Sequence, residues 1–182
     1  MLTIRQIYQK NYSMGKQVFY NYTSEKYYEI HTETNNNGWN FFLTEETFEI
    51  PYEKNLEEEI FDSHKKGSEV YVSEINGEES GIMVIQHIKW NETLLIHNLY
   101  VDKQFKRKGI GRALFEIVKK RAHELGVRMI TLETQTSNYP AIQFYLKNGF
   151  KLIGLNLYSY SNDDIRKKEV RIEMGYLIEN RT

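Results

Sequence analysis

The sequence contains no cysteine, only two prolines and no long apolar run among its 182 residues. The lack of cysteine excludes disulfides, thiolate metal ligands and a cysteine nucleophile from this chain. No apolar stretch approaches the roughly 20 residues that are needed to cross a bilayer. Residues 1–6 also lack the apolar core of a signal peptide. We therefore expect a cytoplasmic protein with no membrane association and no bound metal.

The length and composition are typical of one globular domain. Apolar residues make up 40% of the chain and aromatic residues 14%, which is enough to form a sizeable core. No stretch has the composition of a linker, an internal repeat or a low-complexity tract. We therefore predict a single domain over residues 1–182.

The net charge is only −1, but acidic and basic residues are separated along the chain. Residues 29–62 contain ten acidic side chains and a single lysine, Lys54, whereas residues 103–128 contain nine lysines and arginines. Such stretches are either ordinary solvated faces or binding surfaces, the acidic one for a cation and the basic one for an anion. Both interpretations stay open from the sequence.

The first half of the chain predicts strands, although residues 1–20 indicate no particular element. Residues 27–31 and 39–43 flank an Asn-rich turn that ends in Asn-Gly, which is typical of a hairpin because these residues supply positive φ angles. In the acidic stretch 48–62, Pro51 restricts a helix to the residues that follow it. Residues 69–75 and 81–88 predict an antiparallel hairpin that is joined by the loop 76–80.

The second half predicts a strand, a helix and a second strand, followed by a short helix and two closing strands at 150–161 and 170–178. Residues 94–101 are almost all apolar, which favours a central strand. From Gly109 to about Leu125, apolar residues recur every three or four positions, which predicts an amphipathic helix that ends at Gly126. The strand at 129–134 then pairs in parallel with the first. We predict an α/β (α+β) fold with a mixed central sheet flanked by helices.

Two glycines, Gly109 and Gly111, lie in a basic segment between the central strand and the amphipathic helix. A pyrophosphate needs several backbone N–H groups that point into one concavity at the positive end of a helix. Leu114 replaces the third glycine of a dinucleotide fingerprint, and no Gly-Lys-Ser/Thr of a P-loop follows. We therefore predict an anion-binding turn. Its residues are Lys106, Arg107, Lys108, Gly109, Ile110, Gly111 and Arg112.

This turn resembles the first motif of the GNAT superfamily of acyl-CoA-dependent N-acetyltransferases, Arg/Gln-x-x-Gly-x-Gly/Ala. Lys106 stands where arginine or glutamine is usual. The resemblance implies that the turn binds acetyl-CoA as a co-substrate. It also implies that the backbone of Leu99, Tyr100 and Val101 holds the pantetheine arm, with one N–H polarising the thioester carbonyl.

The same resemblance implies an arrangement of the whole chain. The strands at 94–101 and 129–134 would splay apart, and the pantetheine would lie in the gap. The acetyl-CoA-binding core would comprise about residues 68–182, and the acceptor-side part about residues 1–67. Apart from the resemblance, the predicted edge strands near the C-terminus would allow a homodimer.

Residues 132–150 resemble the second motif of the superfamily through Glu133, Asn138, Ala141 and Tyr145. The resemblance implies that Asn138 and Ala141 contact the cofactor and that Tyr145 protonates the departing CoA thiolate. A thiolate that leaves in a partly dry site benefits from a positioned proton donor. The alternative is that Tyr145 is a core aromatic residue.

An amine attacks a thioester only when it is neutral, so a group must take the proton of the ammonium. His97 has a suitable intrinsic pKa, although it is equally consistent with a hydrogen-bonded strand histidine. Because neighbouring strand residues face opposite ways, we expect that His97 and Asn98 do not line the same slot. We favour Glu133 as the substrate-side carboxylate, acting directly, through water or by holding the ammonium.

Beyond the shared motifs, residues 28–178 resemble the streptothricin acetyltransferases. The runs that carry this likeness are Asn37-Gly38-Trp39-Asn40-Phe41, Glu49-Ile50-Pro51-Tyr52 and Leu132-Glu133-Thr134-Gln135. The likeness implies acetylation of an amine on a small cationic antibiotic, and it implies an acidic pair where this chain has His97 and Asn98. An acid-rich N-terminal half suits a cationic acceptor.

Other functions fit parts of the pattern. The acceptor could instead be a polyamine, an aminoglycoside or a protein amine. A catalytically silent acyl-CoA-binding module would keep the glycine turn but would have no need for Tyr145 and Glu133. A nucleic-acid binder would use the basic stretch, but the chain as a whole is slightly acidic. We therefore predict no nucleic-acid partner.

Overall fold

The computed structural model describes residues 1–179, and this part of the chain contains nine β-strands and three α-helices. The strands are β1 Leu2–Ile7, β2 Gln17–Asn35, β3 Gly38–Glu59, β4 Glu69–Ile75, β5 Glu78–Ile88, β6 Thr93–Val101, β7 Met129–Gln135, β8 Lys151–Asn156 and β9 Arg171–Leu177. The helices are α1 Ile110–Leu125, α2 Tyr139–Lys147 and α3 Asp164–Lys167.

These elements group into two compact units. Among the described residues, the first unit comprises residues 1–21, 55–132 and 176–179. The second unit comprises residues 22–54 and 133–175.

The first unit is built on a mixed sheet in the order β1-β4-β5-β6-β7. The strands β1, β4, β5 and β6 are antiparallel to their neighbours. The exception is the parallel pair β6–β7, in which Thr93–Ile96 lies beside Met129–Leu132. This pair, with α1 between its strands in the sequence, confirms the predicted β-α-β unit and the mixed α+β fold.

Helix α1 buries one face and exposes a basic one. Its buried residues are Ile110, Leu114, Phe115, Val118 and Ala122. Gly109 and Gly126 lie at its two ends in the left-handed conformation, which glycine adopts without steric cost. On the polar face, Arg121 forms an ion pair with Glu69 of β4, with 2.6 Å between Nη2 and Oε1. This part of the basic stretch therefore serves to hold the helix on the sheet.

The second unit contains most of a long two-stranded sheet, β2 with β3, and an antiparallel pair, β8 with β9. Aromatic rings pack along the hairpin: Tyr27 lies 4.5 Å from Phe48 and Tyr22 lies 6.1 Å from Tyr52, measured between ring centroids. Helix α2 is attached to the hairpin through the Gln143 side-chain amide, which donates to the Tyr28 hydroxyl at 2.9 Å.

One expectation for the first half of the chain was wrong, and one segment without a prediction proved to be ordered. Residues 48–59 form no helix after Pro51 but continue β3, which runs from Gly38 to Glu59. A proline is tolerated in a two-stranded sheet because its missing N–H can face the free edge. Residues 1–20, for which the sequence indicated no particular element, contain β1, whose pairing with β4 runs from Leu2 opposite Ile75 to Ile7 opposite Val70.

The helices of the described region are too short or too polar to serve as membrane spans. The longest of them, α1, has 16 residues and a charged face.

Candidate active site

The predicted anion-binding turn joins β6 to α1 in the first unit. Asp102 caps a short 3-10 helix over Lys103–Phe105, because its carboxylate accepts from the Gln104 N–H at 3.0 Å. Phe105 is buried and anchors this segment. Arg107 and Gly109 then adopt positive φ angles of 64° and 80°, which bend the chain into the first turn of α1. The turn therefore has the sharply folded backbone that the sequence predicts.

The backbone of this turn is suited to an anion. The first N–H groups of a helix have no partner within the helix, and they carry the positive end of its dipole. Apart from the residues that adjoin Gly109 in the chain, no atom of the described residues lies within 4 Å of the place where its side chain would begin. The pKa of Lys106 is lowered by burial and by the positive charge of Lys103. These features fit a pyrophosphate bound by backbone donors, with the side chains supplying charge.

The predicted pantetheine segment, Leu99 to Val101, forms the end of β6. These three residues pair with Met83, Ile82 and Gly81 of β5. The ladder between β6 and β7 ends earlier, at Ile96 opposite Leu132. The backbone of the segment is therefore held from one side by β5, beyond the last residue that pairs with β7.

Tyr145 lies on α2 in the second unit. The side chain is buried, and its ring lies 5.5 Å from Phe144 and 5.4 Å from Phe150. Burial raises the pKa of Tyr145 above its ordinary value. The phenol therefore keeps its proton at neutral pH, which is a requirement for a proton donor and is equally true of a core tyrosine.

Asn138 caps the N-terminus of α2. Its side chain accepts from the Ala141 N–H at 3.4 Å, which is a long hydrogen bond. The two residues that we expected to contact the cofactor therefore contact each other. This capping role explains their spacing in the sequence independently of any ligand.

Glu133, the favoured substrate-side carboxylate, lies on β7 in an ion pair. The distance between its Oε2 and Nη1 of Arg171 is 2.6 Å, and Nη2 of the same guanidinium lies 3.0 Å from Oε1 of Glu173. Glu133 thus shares its charge with a neighbouring arginine, so a role toward the substrate remains a prediction.

His97 lies on β6 and is hydrogen-bonded to Gln86, with 2.8 Å between Nε2 and Oε1. The Gln86 amide N–H₂ donates to the Lys66 carbonyl, so Oε1 is left to accept from His97. This assignment puts the proton on Nε2 and leaves Nδ1 unprotonated. Burial lowers the pKa of His97 to about 4, and the nearby Lys65 ammonium acts in the same direction.

The expectation that His97 and Asn98 face opposite ways was wrong. In the pairing with β5, Asn98 lies opposite Val84 and Ile96 lies opposite Ile85, so that His97 is an extra residue in β6. Such a β-bulge interrupts the alternation of side chains. Lys65 accordingly acts on both residues: its charge lowers the pKa of His97, and it pairs with Glu58, which also binds Asn98.

Sequence reasoning missed the participation of Glu58. One of its carboxylate oxygens accepts from Lys65, and the other accepts from the Asn98 side-chain amide at 2.8 Å. Glu58 is one of three consecutive glutamates of β3 and lies 40 positions from Asn98. Nothing local distinguishes it from Glu57 or Glu59, so only the folded chain reveals the contact.

A metal centre is not apparent among residues 1–179, in which no three His, Asp or Glu side chains are grouped closely enough to hold an ion.

Comparisons with known proteins agree with the motifs. Residues 24–150 match the family model described as the acetyltransferase (GNAT) family. Streptothricin acetyltransferase A of Bacillus subtilis is 31% identical over 130 residues, which is 70% of this chain and 73% of that enzyme. A streptothricin acetyltransferase of Escherichia coli is 39% identical over 71 residues, 39% of this chain, and the match spans only 41% of that relative.

Among solved structures, the fold is similar to that of a protein proposed to be a streptothricin acetyltransferase from Bacillus anthracis, which was crystallised with acetyl coenzyme A. The TM-score is 0.77, the sequence identity is 23%, and the alignment covers 98% of this chain and 100% of that one. This likeness extends the agreement in fold to almost the whole chain.

Proposed function

Because the chain belongs to the GNAT family of acetyltransferases, we propose that it transfers the acetyl group of acetyl-CoA directly to a primary amine of a small cationic acceptor. In this reaction the amine nitrogen bonds to the acetyl carbonyl carbon and the carbon–sulfur bond breaks. The nitrogen gives up two protons in all: one is released, through a base, to solvent, and the other balances the proton that the departing sulfur takes up. No covalent enzyme intermediate is required, which agrees with the absence of cysteine.

The turn between β6 and α1 carries this proposal. Its positive φ angles, the open space at Gly109 and the first N–H groups of α1 together form a backbone site for a phosphorylated ligand. Lys106, Arg107, Lys108 and Arg112 would add charge. The backbone of residues 99–101 would hold the pantetheine arm, and one of its N–H groups would polarise the carbonyl.

Tyr145 is our candidate for the proton donor to the departing sulfur. Its buried phenol has a raised pKa and is therefore protonated before the reaction. Asn138 and Ala141 would contact acetyl-CoA from the N-terminus of α2, with the capping hydrogen bond holding them in place. His97 and Glu133 remain candidates for the group that receives the amine proton.

A streptothricin-type antibiotic is the acceptor that we favour, which would make the protein a resistance enzyme. The similarity to streptothricin acetyltransferase A of Bacillus subtilis over most of the chain supports this choice. The acidic side chains of residues 29–62 suit a cationic acceptor. A polyamine, an aminoglycoside and a protein amine share the same positive charge and are the alternatives.

The test is release of thiol from acetyl-CoA with a streptothricin, a polyamine and an aminoglycoside as acceptors. We expect turnover with the streptothricin. Tyr145→Phe should lower kcat by about 100- to 1,000-fold, with little change in the KM of acetyl-CoA or of the acceptor. Tyr158→Phe, on an exposed tyrosine of the same unit, is the matched control and should behave as the wild type. Acetyl-CoA binding without turnover on any amine would instead favour a silent binding module.

A further inference from the structure

A partly buried polar cluster in the first unit is not accounted for by the cofactor. Glu58 is at its centre, with Lys65 on one carboxylate oxygen and the Asn98 amide on the other. The Lys65 side chain is only 2% exposed, whereas that of Glu58 is 33% exposed. The lysine therefore holds the carboxylate from inside the protein, and the carboxylate faces the solvent.

Two buried polar atoms at this cluster have no partner among the described residues. They are Oδ1 of Asn98 and the hydroxyl of Tyr20. The negative charge of Glu58 acts on Tyr20, and the Tyr20 ring makes an edge contact with Tyr100 of β6 at 5.0 Å. Buried polar groups are rarely left unpaired in native proteins, so these atoms call for a ligand or an ordered water.

The unpaired atoms can all accept hydrogen bonds, so a ligand at this cluster has to supply hydrogen-bond donors. The Asn98 amide oxygen can only accept, and so can the remaining lone pairs of the Glu58 carboxylate. The Tyr20 hydroxyl can do both. An ammonium has three donors and no acceptor, and the cluster already binds one ammonium, that of Lys65. An anion would be repelled by the Glu58 carboxylate and would find, besides the tyrosine hydroxyl, only the buried Lys65 ammonium, which already pairs with Glu58.

We propose that Glu58 and Asn98 form the binding site for the ammonium group of the acceptor. This inference rests on the proposed function, because it identifies where that function takes its amine. Asn98 directly precedes Leu99, the first residue of the proposed pantetheine segment. The bulge at His97 orients the Asn98 side chain toward Glu58. Glu58 supplies the charge, and Asn98 supplies a fixed acceptor.

Lys65 is a positioning residue in this arrangement. Its buried ammonium occupies one oxygen of Glu58 and prevents the carboxylate from turning inward. The acceptor therefore meets the carboxylate in one orientation. Removal of Glu58 alone would leave Lys65 buried without a counter-charge, which is strongly destabilising. The test must therefore include variants that keep or remove the pair as a whole.

The experiment combines steady-state kinetics with calorimetric binding of the acceptor, using a streptothricin and a linear polyamine as probes. For Glu58→Gln combined with Lys65→Met, we expect a rise of about 10- to 100-fold in the acceptor's KM and Kd. The KM of acetyl-CoA should stay within about twofold, because the glycine turn is untouched. Glu25→Gln, on an exposed glutamate outside the acidic stretch 29–62, is the matched control and should leave all constants unchanged.

Asn98→Ala leaves the ion pair between Glu58 and Lys65 intact and tests the site without the risk of unfolding. It should raise the acceptor's KM and Kd by about 10-fold. Unchanged acceptor binding in both variants would overturn the inference and would assign the cluster to structure and ordered water. The inference would be overturned as well if neither the streptothricin nor the polyamine bound the wild-type protein. Binding that is lost in the variants, but without turnover in the wild type, would uphold the site and refute the proposed function.

Discussion

At the scale of single residues, burial shifts the pKa values of Tyr145 and His97, two candidates for proton transfer, in opposite directions. Burial raises the pKa of Tyr145 and keeps the phenol protonated. Burial lowers the pKa of His97 to about 4 and keeps the imidazole neutral. In both cases the low dielectric disfavours the charged form. Tyr145 is thereby suited to give a proton, whereas His97 is always ready to accept one but binds it weakly.

The pKa of His97 predicts how stability depends on pH. An unfolded histidine takes up a proton near pH 6.5, but the folded one does so only near pH 4. Between these values the unfolded state binds more protons, so stability falls as the pH is lowered from about 6.5 to 4. We expect His97→Gln, which keeps a donor toward Gln86, to lose this part of the pH dependence.

The measurement is the urea midpoint of the wild type and of His97→Gln at several pH values from 7.5 to about 4. The carboxylates titrate similarly in both proteins, so the difference between the two curves isolates the histidine. Parallel curves would mean that His97 titrates normally in the folded protein.

Gly109 provides a second test at the residue scale. Its φ of 80° disfavours any side chain, and Gly67 combines a φ of 85° with equally open surroundings. Gly109→Ala and Gly67→Ala should therefore each cost about 1–2 kcal/mol of stability. Only Gly109→Ala should also raise the KM of acetyl-CoA, because its methyl group occupies the proposed approach of the pyrophosphate. If the two variants, assayed at a temperature at which both are folded, had equal KM values for acetyl-CoA, the pyrophosphate would not approach the chain at Gly109.

At the scale of elements, β6 combines a regular pairing with a local irregularity. The bulge at His97 places two consecutive polar side chains near Lys65 and Glu58. Just beyond the bulge, the pairing with β5 resumes at Asn98 and continues through residues 99–101. One strand thus contributes both the proposed acceptor contact, at Asn98, and the proposed pantetheine contacts, which begin at the next residue.

Helix α2 depends on its N-cap. Asn138→Ala should destabilise the protein by about 1 kcal/mol, because the Ala141 N–H loses its side-chain acceptor. Asn138→Ser keeps a capping oxygen and should recover most of that stability in chemical denaturation.

The serine variant also separates the two roles of Asn138. If the side chain contacts acetyl-CoA as well as capping the helix, Asn138→Ser should be stable and still show a raised KM for acetyl-CoA. A normal KM in this variant would leave Asn138 with its capping role alone.

At the scale of the whole molecule, ion pairs with nearby glutamates neutralise part of the positive charge of the basic stretch 103–128. Arg121 binds Glu69 and Glu124, and Lys119 binds Glu116, so the exposed face of α1 is not uniformly basic. The basic residues of the turn, at 106–108, come before the start of α1. This distribution favours a compact anion at the turn over a long polyanion along the helix.

Binding of acetyl-CoA should therefore stabilise the entire protein. At a ligand concentration of 100 times Kd, the native state gains about 2.7 kcal/mol, which corresponds to a rise of roughly 5–10 °C in Tm for a chain of this size. Double-stranded DNA, added at the same phosphate concentration as acetyl-CoA, should cause no change in Tm at low salt. A salt-sensitive rise with DNA in place of acetyl-CoA would favour the nucleic-acid interpretation.

The sequence by itself determined the elements whose signals are local. The strand at 69–75 matches β4 residue for residue, and the helix from Gly109 to Leu125 differs from α1 by one position. Hydrophobic periodicity and glycine at a helix end act over a few residues, so they can be interpreted without the rest of the chain. The GNAT motifs are equally local, and the family match agrees with them.

Only the tertiary structure decided the features that depend on distant partners. The extension of β3 through Pro51, the pairing of β1 with β4 and the bulge at His97 all depend on a neighbouring strand. The contact of Glu58 with Asn98 joins residues 40 positions apart. The pKa of His97 depends on burial, a property of the packed molecule. Register and desolvation arise from packing, and no window of sequence contains them.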